Sequence, residues 1–352
     1  MPLPTIRRRA RLAASILAAA LAAGALSGCE TGGRVTDPEK RLAAAPVDHE
    51  AWSTLGYRLQ WRGLAAMSPR GTVTFFEPLV ADGSEIIAVQ ESTSIISAIE
   101  DSSGIRRWSD ELANPLTKFV GIIHDPDTST GPGGRTISSS DTEAFYKAND
   151  TGTLIGKHTL DRVVNTRPLL IGNVLIYGTT TGEVVGYLKD RGFRLWGNSV
   201  DGAIEADPVF VGALAAVVSQ RGEVLFFDPI SGLGVAPRNR IAGGIARGVR
   251  LAASDTTLFV ASLDHSLYAF DARSGSLLWR KRTGDPLTTS PAYHAGRVYQ
   301  EIPGQGMTAF DARTGSEIWS NRDIFGEALG LRNGRLLVWD RRSGVAATID
   351  PN

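Results

Sequence analysis

The chain has 352 residues, one cysteine, and 37 basic against 37 acidic side chains. A single cysteine excludes an intramolecular disulfide and a multi-cysteine zinc site. Balanced charge argues against nucleic acid as the main partner, and 42% apolar residues suffice for a large core.

The N-terminus reads as an address rather than as fold. Arg7, Arg8, Arg9 and Arg11 form a basic region, and Leu12 to Ala25 is apolar and alanine-rich. Leu26-Ser27-Gly28-Cys29 follows at once. This is the pattern of a bacterial export signal that ends in a lipobox. Small residues before the cysteine let the chain lie extended in a peptidase site. The Cys29 thiol is the nearby nucleophile that can take a diacylglyceryl group. The apolar run is short for a membrane-spanning helix. The sequence therefore predicts a signal peptide over residues 1–28 and lipidation at Cys29. Removing 1–28 takes away four arginines and no acids, leaving 33 basic against 37 acidic side chains, a net charge of −4. Attachment to a membrane then comes from lipid rather than from a basic patch. Residues 29–50 are polar and small, the composition of a flexible tether.

From residue 51 onward a repeat governs the chain. Leu267 to Trp279 (LYAFDARSGSLLW) and Met307 to Trp319 (MTAFDARTGSEIW) are its clearest copies. Each has an apolar run, an aspartate, a turn ending in glycine (Gly275, Gly315), and Trp four residues later. The frame recurs at Ile95 to Trp108 and at Val184 to Trp196. Val224 to Ala236 keeps Asp228 and Gly232 but has Ala for Trp, and Glu143 to Gly156 has Gly for Trp. The marks fall at 108, 156, 196, 236, 279 and 319, a period near forty residues. Between them lie short apolar runs and turn signals, four strands of about five residues per repeat. No segment shows sustained helical periodicity. Such repeats predict an all-β, seven-bladed β-propeller over 51–352. The last repeat, Val345 to Asp350, stops before its outer strand. Tyr57 to Trp61 is an outer strand with no repeat before it. Pairing of these two ends is expected to close the seventh blade.

A Trp at a fixed place in each outer strand can pack on the neighbouring blade. Trp61, Trp108, Trp196, Trp279 and Trp319 are expected in that role. Asp228, Asp271, Asp311 and Asp350 precede tight turns, where their carboxylates accept hydrogen bonds from turn amides. Repetition in blade after blade fits packing better than a single ligand site.

The frame from Ala269 to Trp279, and again from Ala309 to Trp319, resembles the PQQ-type propeller repeat. Quinoprotein alcohol dehydrogenases share it with the BamB lipoproteins of the outer-membrane β-barrel assembly machine. The lipobox joined to a propeller of this size is similar to the BamB architecture. BamB proteins usually have eight blades, and this chain has seven repeats. The dehydrogenases need calcium, a quinone pocket and usually an adjacent cysteine pair, whereas the only cysteine here is Cys29.

Other chemistry has little support. His49, His124, His158, His265 and His294 are scattered, without HExxH or His-x-His. One segment breaks the repeat: His124 to Arg135 replaces a turn as short as Ala295-Gly296. Asp125, Asp127 and Ser129 have calcium-loop spacing, but glycine and glutamate are absent from the positions such a loop requires. This insertion reads as a mobile surface loop on the same face as the Asp turns. Asn114-Pro115-Leu116-Thr117 and Asp285-Pro286-Leu287-Thr288 recur on the opposite face. Arg280-Lys281-Arg282 and Arg341-Arg342 read as solvated turns.

The sequence thus predicts a non-catalytic, lipid-anchored scaffold that faces the periplasm, with no cofactor or metal. Its expected partners are other envelope proteins, the barrel-assembly machinery among them. A degenerate quinoprotein-like or small-ligand propeller, or a lipoprotein scaffold outside barrel assembly, are the alternatives. Glu30 after the lipobox is not the aspartate that favours inner-membrane retention in some Gram-negative bacteria, so the outer membrane is expected.

Overall fold

The computed structural model describes residues 48–69, 71–79 and 86–351. The expected signal peptide, Cys29 and the tether up to residue 47 lie outside the described residues. The described chain divides into two compact units, one ending at Leu160 and the other beginning at Asp161.

The first unit opens with a short helix, α1 (His49–Thr54), which the repeat does not foretell. The Asp48 carboxylate caps it, accepting from the Ala51 amide at 2.9 Å. Two antiparallel sheets follow, each strand pairing with the next. The first holds β1 (Val73–Leu79), β2 (Ile86–Glu91), β3 (Ile95–Glu100) and β4 (Arg106–Glu111). The second holds β5 (Phe119–Asp125), β6 (Arg135–Ser140), β7 (Glu143–Ala148) and β8 (Leu154–Thr159).

The second unit holds five sheets of the same connectivity. The third sheet runs β9 (Leu169–Ile171), β10 (Val174–Gly178), β11 (Glu183–Leu188), β12 (Arg194–Ser199). The fourth runs β13 (Val209–Val211), β14 (Leu214–Val218), β15 (Glu223–Phe227), β16 (Asn239–Arg240). The fifth runs β17 (Ala252–Ala253), β18 (Thr257–Ser262), β19 (Ser266–Asp271), β20 (Leu277–Arg282). The sixth runs β21 (Ala292–His294), β22 (Arg297–Ile302), β23 (Gly306–Asp311), β24 (Glu317–Asn321). The seventh has three strands, β25 (Glu327–Arg332), β26 (Arg335–Asp340) and β27 (Val345–Ile349).

Seven sheets therefore match the seven repeats. The closing strand is a correction: residues 57–61 form no strand, and the seventh sheet has three. The lengths also differ from five per strand, since β16 and β17 have two residues each. Pro237 explains β16, because proline gives no amide to a ladder.

The two middle strands of each sheet carry the core. β18 is buried along its length, and β19 at every residue but Asp271. Such strands are covered on both faces and read as continuous apolar runs rather than as alternation. Outer strands differ: in β20 only Trp279 and Lys281 are half-buried while the residues between them are exposed. Core clusters join neighbouring sheets. Phe226 of the fourth packs with Tyr268 and Phe270 of the fifth. Phe259 of the fifth packs with Val298 and Phe310 of the sixth.

One regular irregularity recurs beside the outer strand. In the first, second, third, fifth and sixth sheets the register slips by one residue just before the Trp mark. Ala269 pairs with Trp279, yet Phe270 pairs with Leu277, so Leu278 is extra. This β-bulge re-aims the side chains on either side of it.

Candidate functional site

The repeat residues converge on the seams between successive sheets. Each seam starts at the turn that follows the third strand. In the sixth sheet the Gly315 amide returns to the Asp311 carbonyl at 2.8 Å, and the Asp311 amide reaches the Ser316 carbonyl at 2.8 Å. This geometry puts glycine in the left-handed region: Gly104, Gly152, Gly232, Gly275 and Gly315 all have φ between 69 and 73°. Glycine holds that conformation without steric cost.

The aspartate fixes the same turn. Asp311 Oδ1 accepts from the Arg313 and Thr314 amides at 3.1 and 2.8 Å. Asp228 does this for Ile230 and Ser231, and Asp271 for Ser274. Hydrogen bonds hold all three carboxylates below the usual range: the Ser274 and Thr314 hydroxyls lead at Asp271 and Asp311, and the Ser231 amide leads at Asp228.

The tryptophan then crosses from the preceding sheet. Trp279 Nε1 donates to the Ala312 carbonyl at 2.9 Å. Trp108 donates to Asn149, Trp196 to Ile230 and Trp319 to Pro351, at 2.9, 2.9 and 3.0 Å. Trp61 donates likewise to Asp101. Each acceptor lies in the turn, one or two residues after its first position. The ring lies on the turn glycine: a Cβ on Gly315 would sit 2.7 Å from Trp279 Cδ2, and one on Gly152 would sit 2.5 Å from Trp108 Cγ. Gly104 meets Trp61 and Gly232 meets Trp196 in the same way. Trp61 therefore takes the Trp place against the first sheet even though residues 57–61 form no strand.

Where Ala236 replaces Trp, a Cβ on Gly275 would sit 2.7 Å from the Pro237 carbonyl oxygen and 3.0 Å from the Ala236 Cβ. Asn239 Nδ2 supplies a donor there, to the Gly275 carbonyl. Asp350 precedes Pro351, the acceptor of Trp319, as Asp311 precedes Ala312. The five tryptophans, the turn glycines and Asp228, Asp271 and Asp311 thus meet at these seams.

The insertion at 124–135 is tied down rather than mobile. Arg135 and Asp125 are both buried, and Arg135 Nε donates to Asp125 Oδ2 at 2.7 Å. The guanidinium also lies 5.2 Å from the centre of the Tyr146 ring. Asn149 Nδ2 donates to the Gly133 carbonyl at 2.8 Å, which fastens the insertion to the turn that receives Trp108. This places it at the same end as the Asp turns, as strand alternation predicts. Burial lowers the His124 pKa, and its Nε2 is buried without a hydrogen-bond partner. Asp125 is committed to Arg135, and Asp127 accepts from the Ser129 amide at 3.0 Å. Asp127 Oδ2 also turns to Arg135, 3.8 Å from its Nη2, so a guanidinium stands where a calcium would need oxygens, and the segment does not fit the calcium that a quinone site needs.

Sequence reasoning missed a buried lysine in the first unit that pairs with an exposed aspartate. Lys147 Nζ donates to Asp110 Oδ2 at 2.6 Å and lies 5.3 Å from the centre of the Trp108 ring. The signal was present: Lys147 occupies the position of Phe227, Phe270 and Phe310 in other repeats. The two connections that look alike in sequence also diverge. Leu287 is fully buried, while Leu116 is 93% exposed.

Residues 233–350 match the family model described as outer membrane protein assembly factor BamB. Over those residues the repeats are of the PQQ type. BamB from Moraxella catarrhalis has a similar fold, with a TM-score of 0.58 and 17% identity over 75% of this chain and 78% of that one. The computationally designed Ika8 protein gives a TM-score of 0.59 and 13% identity, over 83% and 91% of the two chains. Saccharomyces cerevisiae Sqt1 gives 0.62 and 9%, over 80% and 85%. No curated protein sequence matches the chain. At these identities the structures show a shared fold alone, all-β and built of mostly four-stranded antiparallel sheets.

Proposed function

We propose that this PQQ-type propeller is a non-catalytic, lipid-anchored scaffold of the bacterial cell envelope. It faces the periplasm from the outer membrane and assists protein assembly there, in the manner of BamB in β-barrel biogenesis. The match of residues 233–350 to the BamB model carries this reading. The export signal and the Cys29 lipobox support it from the other end of the chain. The seams support it as well: the repeated Trp, Asp and Gly residues are used in holding sheets together, which makes a rigid platform for its loops.

Crosslinking in intact cells, followed by identification of what is joined to the full chain, tests this. Recovery of a barrel-assembly component is the expected result. Recovery of other envelope proteins alone would make the chain a scaffold outside barrel assembly. Saturable binding of the quinone with calcium to the purified protein would overturn a purely scaffolding role.

A further inference from the structure

The outermost segments of the third, fourth and fifth sheets carry a band of exposed apolar side chains. Phe193 and Leu195 stand on the third, Leu233 and Val235 on the fourth, Leu277 and Leu278 on the fifth. Leu233 is 70% exposed and Phe193 63%. The seams make these neighbours. The Trp196 ring lies on Gly232, beside Leu233, and Ala236 lies against Gly275, two residues before Leu277. The bulge at Leu278 leaves two successive leucines facing solvent, where simple alternation would bury one. Contiguous exposed apolar surface marks an interaction site.

The same segments are basic. Residues 191–199, 233–240 and 273–282 hold eight Arg and Lys and no Asp or Glu, in a chain expected to be acidic once processed. Arg194, Arg238, Arg240 and Arg280 pair with acids on neighbouring strands and connections, namely Glu183, Glu223, Asp201 and Asp264. Arg191, Arg273 and Arg282 are exposed.

A partner strand would find poor footing on this edge. β16 has two residues, Pro237 interrupts the segment before it, and the neighbouring outer strands are bulged. The surface therefore offers side chains rather than a backbone ladder. Aliphatic and aromatic groups interleaved with arginine suit the interface of an anionic bilayer. Lipid on Cys29, as the sequence leads one to expect, would keep the fold close to such a surface.

We infer that this band is a bilayer-contact surface that seats the second unit on anionic lipid. The inference rests on the envelope reading above for its nearness to a membrane. Its failure would leave the crosslinking result untouched, because that experiment reads a protein partner.

The test uses the full chain, reconstituted into phosphatidylethanolamine–phosphatidylglycerol vesicles. An environment-sensitive label is placed on Leu278→Cys or, as reference, on Leu116→Cys; Cys29 is common to both. Quenching by brominated lipid should be about fivefold greater at 278 than at 116. It should fall to the reference level when Phe193 and Leu233 are also changed to Ser, and weaken in vesicles of phosphatidylcholine alone. Equal quenching at the two positions would overturn the inference. So would a label at 278 that becomes shielded only when envelope protein extract is added, since the band would then dock protein.

Discussion

Replacing Gly315 by Ala tests the seam directly. Gly315 has φ +71°, and a Cβ there would lie 2.7 Å from Trp279 Cδ2 and 2.8 Å from Cε3. The left-handed backbone costs a non-glycine residue about 1–2 kcal/mol. Overpacking against a ring that is also held by its hydrogen bond to Ala312 adds about 1–3 kcal/mol. The expected total is about 3 kcal/mol, a shift of about 1 M in a urea midpoint at the slope of a chain this size. Removing the ring should remove the second contribution alone. Gly315→Ala is therefore expected to cost only about 1 kcal/mol more in a Trp279→Ala background, a coupling of about 2 kcal/mol. Gly334→Ala supplies the backbone cost by itself, since Gly334 has φ +73° and open space around its Cβ position. Urea unfolding of the purified full chain, followed by far-ultraviolet circular dichroism, measures all four variants. If Gly315→Ala costs the same with and without the Trp279 ring, the close approach of ring to turn is not what selects glycine there.

Three further outcomes follow from the same geometry. Arg135→Ala leaves the Asp125 carboxylate buried without its partner and should cost about 3–5 kcal/mol in thermal unfolding, whereas the joint change Arg135→Met with Asp125→Leu should recover most of it. Burial raises the Glu301 pKa, against a hydrogen bond from the Gly326 amide at 3.1 Å. Its stabilising contribution is full below the unfolded-state value and is lost as pH rises through the raised folded value. Glu301→Gln should therefore gain on the wild type as pH rises from acid to neutral, and a constant difference in melting temperature across that range would contradict this. Cys29→Ala should abolish incorporation of labelled fatty acid and release the protein from membranes; retention of the label would place the lipid elsewhere.

Much of this was legible because one interaction repeats. A Trp four residues after a turn glycine recurs, and so do the aspartate and the apolar run before it. The number of sheets and the place of each Trp follow from that spacing. The bulge before the Trp was not legible, because a single extra residue in an outer strand leaves the four-residue spacing unchanged. Leu116 and Leu287 sit in matching tetrapeptides, and only the packing of each connection decides that one is exposed and the other buried. The 124–135 insertion is rich in glycine and small polar residues and so reads as mobile. Its order comes from Arg135, ten residues away from Asp125 in sequence and hydrogen-bonded to it in space. The unformed strand at 57–61 shows that a Trp can reach its turn, as Trp61 does at Asp101, without ladder pairing behind it.

The crossing of each ring onto the next turn has a direction, and the same docking shape is presented at every Trp seam. A repeat whose Trp fits one following turn fits any other, so copies can be gained or exchanged during evolution without redesigning what they meet. The seam between the fourth and fifth sheets breaks this interchangeability. It lacks the ring, and its cohesion comes from Phe226, Tyr268 and Phe270, which no other repeat supplies in that combination. Recombination that separated those two sheets would expose the core they share.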